Sequence, residues 1–139
     1  MLLLLLLPII LLLFIVVHKQ NEQQNLMKMG IFLQLYEKIH KDESFKRIEK
    51  ILENTESPDF EQLVKNEKEG FEEYLRFFDS VVLMRIPNYF SKHEADLLFA
   101  RPTELLTRHH FVRNYIAAQN YKNLDAVLVS NEGSKTLSS

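Results

Sequence analysis

Hydrophobic residues follow two different patterns along this chain. Residues 1–17 are all apolar apart from Pro8 and carry no charged side chain. A polar segment follows at residues 18–25, and beyond it the apolar residues recur at spacings of three and four, the period of an amphipathic helix. The pattern predicts an all-α protein with a single N-terminal transmembrane helix over residues 1–17, a polar joint over 18–25, a small helical bundle over 26–129 and a disordered tail over 130–139.

The apolar run has the composition of a membrane anchor. As a helix it would be roughly 25 Å long, slightly less than the ~30 Å hydrocarbon core. Lys19 and Lys28 follow the run and no basic residue precedes it, so the positive-inside rule places the C-terminal domain in the cytoplasm. Two alternatives stay open. A cleaved secretory signal would make a secreted helical protein, although no small-x-small cleavage pattern follows the run. A start at Met27 or Met29 would leave a soluble protein.

Three helices are predicted in the first half of the remaining chain. Asp42 is a candidate N-cap for the second, whose charged residues, Glu49 among them, are expected to form an exposed face. The third is predicted to begin with Ser57 as a cap and either to run to about residue 84 or to break near Gly70. The first helix carries the apolar stripe Leu26, Met29, Phe32, Leu33, Tyr36 and Ile39.

The second half of the chain contains the expected centre of the core. Ser91 and Glu94 match the S-x-x-E capping box, which predicts a helix start. Arg101 and Pro102 are expected to interrupt that helix, and a further helix is predicted to run to about Gln119. The central apolar face is formed by Phe71, Tyr74, Leu75, Phe78, Val81 and Val82.

Composition and charge narrow the possible functions. The 139 residues allow one domain of modest core beside the apolar run. The absence of cysteine excludes disulfides, thiolate zinc sites, iron–sulfur clusters and a cysteine nucleophile. The net charge of −2 and the lack of a basic stripe argue against nucleic acid as a partner.

Metal binding and acid–base catalysis both use histidine together with acidic residues. His93 and Glu94 begin like a zinc-protease helix, but that motif needs a second His where Leu97 stands. His109 and His110 are adjacent, so on a helix they diverge by about 100° and are poorly placed to bind one metal together. We therefore expect surface or core-edge histidines and assign no catalytic, cofactor-binding or metal-binding residue.

One pair of carboxylates keeps a metal hypothesis open. Glu72 and Asp79 lie two turns apart on one predicted helix face, although no E-x-x-H motif accompanies them. Glu72 also stands four residues before Arg76, a spacing that favours a surface ion pair. The alternative function is a small membrane-bound metal-binding protein or enzyme that uses these two carboxylates with His109 and His110.

Three segments of the chain carry a pattern: residues 71–79 (FEEYLRFFD), Ser91-Lys-His-Glu94 and Leu97-Leu-Phe99. This pattern resembles that of an uncharacterised family of small bacterial proteins. The resemblance covers roughly residues 33–128, with Asp79 where a Glu is usual. It implies an N-terminal membrane helix and a helical cytoplasmic domain, and it implies no activity or cofactor.

The expected function is therefore that of a scaffold or protein-interaction module rather than an enzyme. Residues 1–17 would contact the lipid bilayer and confine the helical domain beside it, which raises the effective concentration of partners at the membrane. The expected partner is another protein or a second copy of the chain.

Overall fold

The computed structural model describes residues 2–54 and 57–136, with the side chains of residues 2–5, 57–59, 132 and 134–136 left out. Over this part the chain forms seven α-helices and one short 3-10 helix at Ile86–Tyr89, and it contains no strand. The prediction of an all-α fold is confirmed. The helices are α1 (Leu2–Lys41), α2 (Glu43–Asn54), α3 (Ser57–Asn66), α4 (Lys68–Leu83), α5 (Lys92–Thr107), α6 (His110–Ala118) and α7 (Lys122–Thr136).

The chain divides into two units, Met1–Leu35 and Tyr36–Ser139. In the first unit the large apolar side chains from residue 6 to residue 17 are exposed, and the predicted polar joint at 18–25 continues the helix without a break. Of the apolar stripe predicted on the first helix, only Ile39, in the second unit, is fully buried.

The described part of the chain contains no helical stretch that combines the length and the hydropathy needed to cross a bilayer. The single transmembrane helix is thus not supported by those residues.

The core of the second unit is centred on α4, as the spacing of its apolar residues predicts. Phe71, Tyr74 and Leu75 are completely buried, and Phe78 and Val81 nearly so. α7 packs along α4, and α2 and α3 pack on its other sides. Edge-to-face ring contacts join α2 and α3 to α4, because buried aromatic rings favour that arrangement.

Two helix starts agree with their capping signals. The Asp42 carboxylate accepts a hydrogen bond from the Phe45 N–H at 3.1 Å, which confirms it as the cap of α2. At α5 the Ser91 hydroxyl accepts from the Glu94 N–H, and the Glu94 carboxylate accepts from the Ser91 N–H at 2.8 Å, which confirms the capping box. The predicted cap at Ser57 falls on a side chain outside the described residues.

Of the two predicted breaks between helices, the one near Gly70 is confirmed and the one at Pro102 is not. The chain breaks at Glu67, between α3 and α4, three residues before Gly70. The expected interruption at Pro102 was wrong, because α5 continues through it to Thr107. Pro102 is buried, so packing of its ring offsets the main-chain hydrogen bond that proline removes. The interruption comes instead at Arg108 and His109.

The C-terminal helix extends further than the sequence pattern indicates. α7 continues to Thr136, whereas a disordered tail is predicted from residue 130, and residues 137–139 lie outside the described part. The start of α7 is held by Asp79 of α4, whose carboxylate accepts from the Leu124 N–H at 2.9 Å and the Asn123 amide at 3.3 Å. The Asp79 side chain therefore satisfies one main-chain donor and one side-chain donor at the start of a helix distant in sequence.

Candidate functional site

The residues of the metal hypothesis are occupied by structural contacts. Glu72 lies 3.8 Å from the Arg76 guanidinium, which confirms the predicted ion pair, and Asp79 holds the start of α7. His109 precedes α6 in an extended conformation and stacks on the Phe111 ring at 5.0 Å. His110 is exposed, as is His93 in the first turn of α5. Within the described residues, no three His, Asp or Glu side chains converge on a position that could hold a metal ion.

Glu49 is the buried charged residue of the described chain, and the prediction of an exposed face was wrong for it. The residue is 7% exposed, and its carboxylate accepts a hydrogen bond from the Tyr74 hydroxyl at 3.1 Å. The Arg101 guanidinium lies 3.5 Å from its other carboxylate oxygen. The period of α2 alone places Glu49 among charged neighbours, whereas its partners come from helices 25 and 52 residues further along the chain.

Burial controls the ionisation of this cluster. Loss of hydration raises the pKa of the Glu49 carboxyl, and the Tyr74 hydrogen bond and Arg101 charge oppose that rise without cancelling it. Burial, with the nearby Glu49 carboxylate, raises the pKa of Tyr74 well above its ordinary value. Tyr74 therefore stays a hydrogen-bond donor at neutral pH. With so little of Glu49 exposed, this cluster serves the packing of α2, α4 and α5.

Arg101 of α5 and Arg108, directly after α5, join this helix to the end of α2. Arg101 Nη2 lies 3.1 Å from the Glu53 carboxylate, and Arg108 donates to the Glu53 main-chain carbonyl at 3.1 Å. Arg108 also pairs with Glu104 at 2.6 Å. A cation at the C-terminal end of a helix satisfies free carbonyls and opposes the helix dipole. Both arginines therefore make contacts within the fold.

An open groove on the other side of α5 is a candidate ligand-binding surface. It has a volume of about 670 Å³ and lies between α5, α7 and the 3-10 helix. A smaller, largely apolar cavity of about 60 Å³ lies against it and shares Pro87, Phe99, Thr103 and Val127 with it. We call these two together the α5–α7 groove. Its remaining open wall is formed by Lys92, Ala95, Asp96, Ala100, Glu104, Thr107 and Asn131.

The sequence contains a weak signal for this groove. Ala95 and Ala100 are the small residues of α5, and both line it, so that α5 presents little side-chain bulk there. Buried Leu98 packs into the core instead. The groove itself could not be inferred from one helix, because α7 supplies its other wall.

Comparison with known proteins gives no relative. No family model, no curated protein and no solved structure matches the chain. The resemblance carried by residues 71–99 stays a prediction, and the proposals below are argued from the described residues alone.

Proposed function

We propose that this chain is a membrane-tethered helical interaction module whose α5–α7 groove binds an amphipathic helix of another protein. The observation that carries the proposal is the groove with its deeper apolar cavity. Its role is binding rather than catalysis.

The shape of the groove favours a helix as its occupant. The volume of about 670 Å³ is open along α5 and α7, as in complexes where a helix lies in a groove between two others. The cavity of about 60 Å³ has room for the end of one apolar side chain, and Phe99 and Val127 stand at its mouth. An inserted side chain of this kind is the usual anchor of such an interface.

Charge along the groove favours a partner with basic flanks. Asp96 and Glu104 lie on α5 eight residues apart, about 12 Å along a helix, and both line the groove. Lys or Arg residues beside the apolar anchors of a bound helix would face these carboxylates and set its register. Lys92 at the end of the groove would disfavour a basic residue at that end of the partner.

The tether proposed for this module is the apolar run at residues 1–17. The side chains described there, from residue 6 onward, are apolar except for Pro8 and are between 45% and 70% exposed. Residues 6–17 number 12, fewer than the ~20 that a membrane span needs. In the sequence, residues 1–5 extend the apolar run by Met1 and four more leucines. Lys19 and Lys28 then favour a cytoplasmic location for the helical domain.

A matched pair of alanine variants tests the groove. Ala100 and Ala117 are both exposed alanines on helices, and only Ala100 lines the groove. A photoreactive amino acid at Asp96 should give a discrete cross-linked adduct in cells, whereas a photoreactive amino acid at Asn114 on α6 should give none. Ala100→Arg should abolish the adduct formed from position 96, and Ala117→Arg should leave it unchanged. An adduct unchanged by Ala100→Arg would contradict the groove as the binding site. A mass equal to two copies of the chain would replace the heterologous partner with a homodimer.

Cysteine labelling tests the tether and its orientation. Because the chain has no cysteine, single cysteines at Asn21 and Asn114 report on the two units separately. Resistance to carbonate extraction and labelling of both sites only after permeabilisation are expected. Release of the protein into the carbonate supernatant would overturn the tether. Labelling of intact cells would overturn the cytoplasmic orientation. A mature mass that lacks residues 1–17 would show a cleaved signal in place of the anchor.

A further inference from the structure

Exposed apolar side chains gather at the connection between α4 and α5. Leu83 is 64% exposed, Met84 is 65% exposed and Tyr89 is 62% exposed. These are the three most exposed of the large apolar side chains described in the second unit, and they lie within seven positions of the chain. With Arg85 and Lys92 these three residues form what we call the loop patch.

The loop patch is positively charged as well as apolar. From Ser80 to His93 the chain carries no Asp or Glu, while Arg85 and Lys92 lie within that stretch. In the described part of the chain neither of these two cations has an acidic partner at ion-pair distance. The first acid of α5, Glu94, accepts from the Ser91 main chain. A surface that combines exposed Leu, Met and Tyr with free cations has the chemistry of an interface with anionic lipid.

The backbone of the connection holds these side chains outward. Arg85 has φ = 53° and ψ = 32°, the left-handed conformation that residues other than glycine rarely adopt. Its N–H donates to Val82 O at 3.0 Å, and its carbonyl accepts from the Asn88 N–H at 3.1 Å. Phe90 is buried and fixes the far end of the connection. Non-glycine residues kept in this conformation are concentrated at functional positions, which is a second reason to assign a role to this turn.

We propose that the loop patch docks onto the surface of an anionic lipid bilayer, with Leu83, Met84 and Tyr89 at the headgroup boundary and Arg85 and Lys92 against lipid phosphates. Tyrosine is enriched at that depth, because its ring is apolar and its hydroxyl stays hydrated. Each cation near an anionic surface raises binding by roughly fivefold. The inference rests on the proposed tether only in that a tether keeps lipid at high local concentration.

The natural chain contains no tryptophan, so the fluorescence of one introduced tryptophan reports only on the position where it is placed. Tyr89→Trp places the reporter in the patch, and Gln62→Trp places a control on the exposed face of α3. Gln62 is distant from the patch, because α3 packs on α4 through the contact between Phe60 and Phe71. Phe71 lies about 18 Å from Leu83 along the axis of α4. The full chain is reconstituted into vesicles of phosphatidylcholine and into vesicles of an equimolar phosphatidylcholine–phosphatidylserine mixture, each with and without brominated lipid as a quencher.

The result expected is a blue-shifted, strongly quenched Tyr89→Trp emission in the anionic vesicles and weak quenching in the neutral ones, with Gln62→Trp unquenched in both. Adding Arg85→Gln or Lys92→Gln should lower the ratio of docked to undocked loop by roughly fivefold each, whereas Lys65→Gln on α3 should leave it unchanged. Equal quenching in the two compositions, or equal quenching at positions 89 and 62, would overturn the proposal.

Failure of the tether gives a different result in the same samples. Flotation with neutral vesicles reports the tether, because the loop patch needs anionic lipid. A chain that floats only with anionic vesicles and still shows the charge-dependent quenching would retain the docking loop and lose the tether. A chain that floats with both and shows no charge dependence would retain the tether and lose the docking loop.

Discussion

Removing the Tyr74 hydroxyl should destabilise the helical domain without disturbing its packing. Tyr74→Phe keeps the ring that lies 5.0 Å from the Phe45 ring and 4.8 Å from the Phe78 ring, and it removes the 3.1 Å hydrogen bond to Glu49. A hydrogen bond to a charged group contributes about 1.5–3 kcal/mol. Both groups are buried, so water does not replace the lost donor. For a domain of this size that loss lowers the melting temperature by about 6–12 °C.

The effect should depend on pH, because the partner of Tyr74 titrates. The pKa of Glu49 is raised in the folded state, so folding favours its neutral form relative to the unfolded chain. Its contribution to stability is present below the ordinary pKa of a glutamate and is lost as the pH rises through the folded-state pKa. A hydrogen bond to the neutral acid contributes only about 1 kcal/mol. The cost of Tyr74→Phe should therefore increase as the pH rises from about 4.5.

Thermal unfolding of the full chain in mild detergent, followed by circular dichroism between pH 4 and pH 8, measures both quantities. Glu49→Gln is the matched control, because it keeps an acceptor for Tyr74 and removes the titration. In that background the cost of Tyr74→Phe should fall to about 1 kcal/mol and lose its pH dependence. A cost that is independent of pH in the native background would refute the role assigned to the Glu49 carboxylate.

Three helix-capping residues give further predictions, each measured by denaturant unfolding with Asp96→Ala, an exposed residue of α5, as the control. Asp79→Ala should cost about 1–2 kcal/mol and increase hydrogen exchange at the start of α7, because the Leu124 N–H loses its acceptor. Asp42→Ala should cost about 1 kcal/mol at neutral pH. The Lys38 ammonium lowers the pKa of Asp42, so this contribution should vanish as the pH falls through that depressed pKa. Ser91→Ala should cost about 1 kcal/mol by removing one bond of the capping box. A cost no larger than that of Asp96→Ala would contradict the cap concerned.

Features that depend on one helix at a time could be predicted from the sequence. The buried face of α4 follows from the spacing of Phe71, Tyr74 and Phe78, and the start of α5 follows from Ser91 and Glu94. These patterns are read within a few turns, where helix geometry fixes which side chains are neighbours.

Features that depend on contacts between distant helices could not be predicted from the sequence. Glu49 is buried because Tyr74 and Arg101 provide a donor and a charge, and nothing in α2 indicates either. Pro102 is tolerated within α5 because its ring is buried, so packing outweighs a local rule. The spacing of Glu72 and Asp79 makes Asp79 a candidate metal ligand, whereas in the fold its carboxylate holds the start of α7. The α5–α7 groove likewise needs both of its walls.

The contact between Asp79 and Leu124 also bears on how the domain folds during synthesis. α4 carries the central apolar face and packs along α7, and the residues joined by this contact are 45 positions apart. Pairings this distant in sequence slow folding, since the intervening chain must be ordered before they form. A nascent chain that ends before Leu124 has made α4 but not the helix that covers it. We expect such a chain to be protease-sensitive and prone to aggregation. The domain therefore reaches its protected state only after α7 has been synthesised.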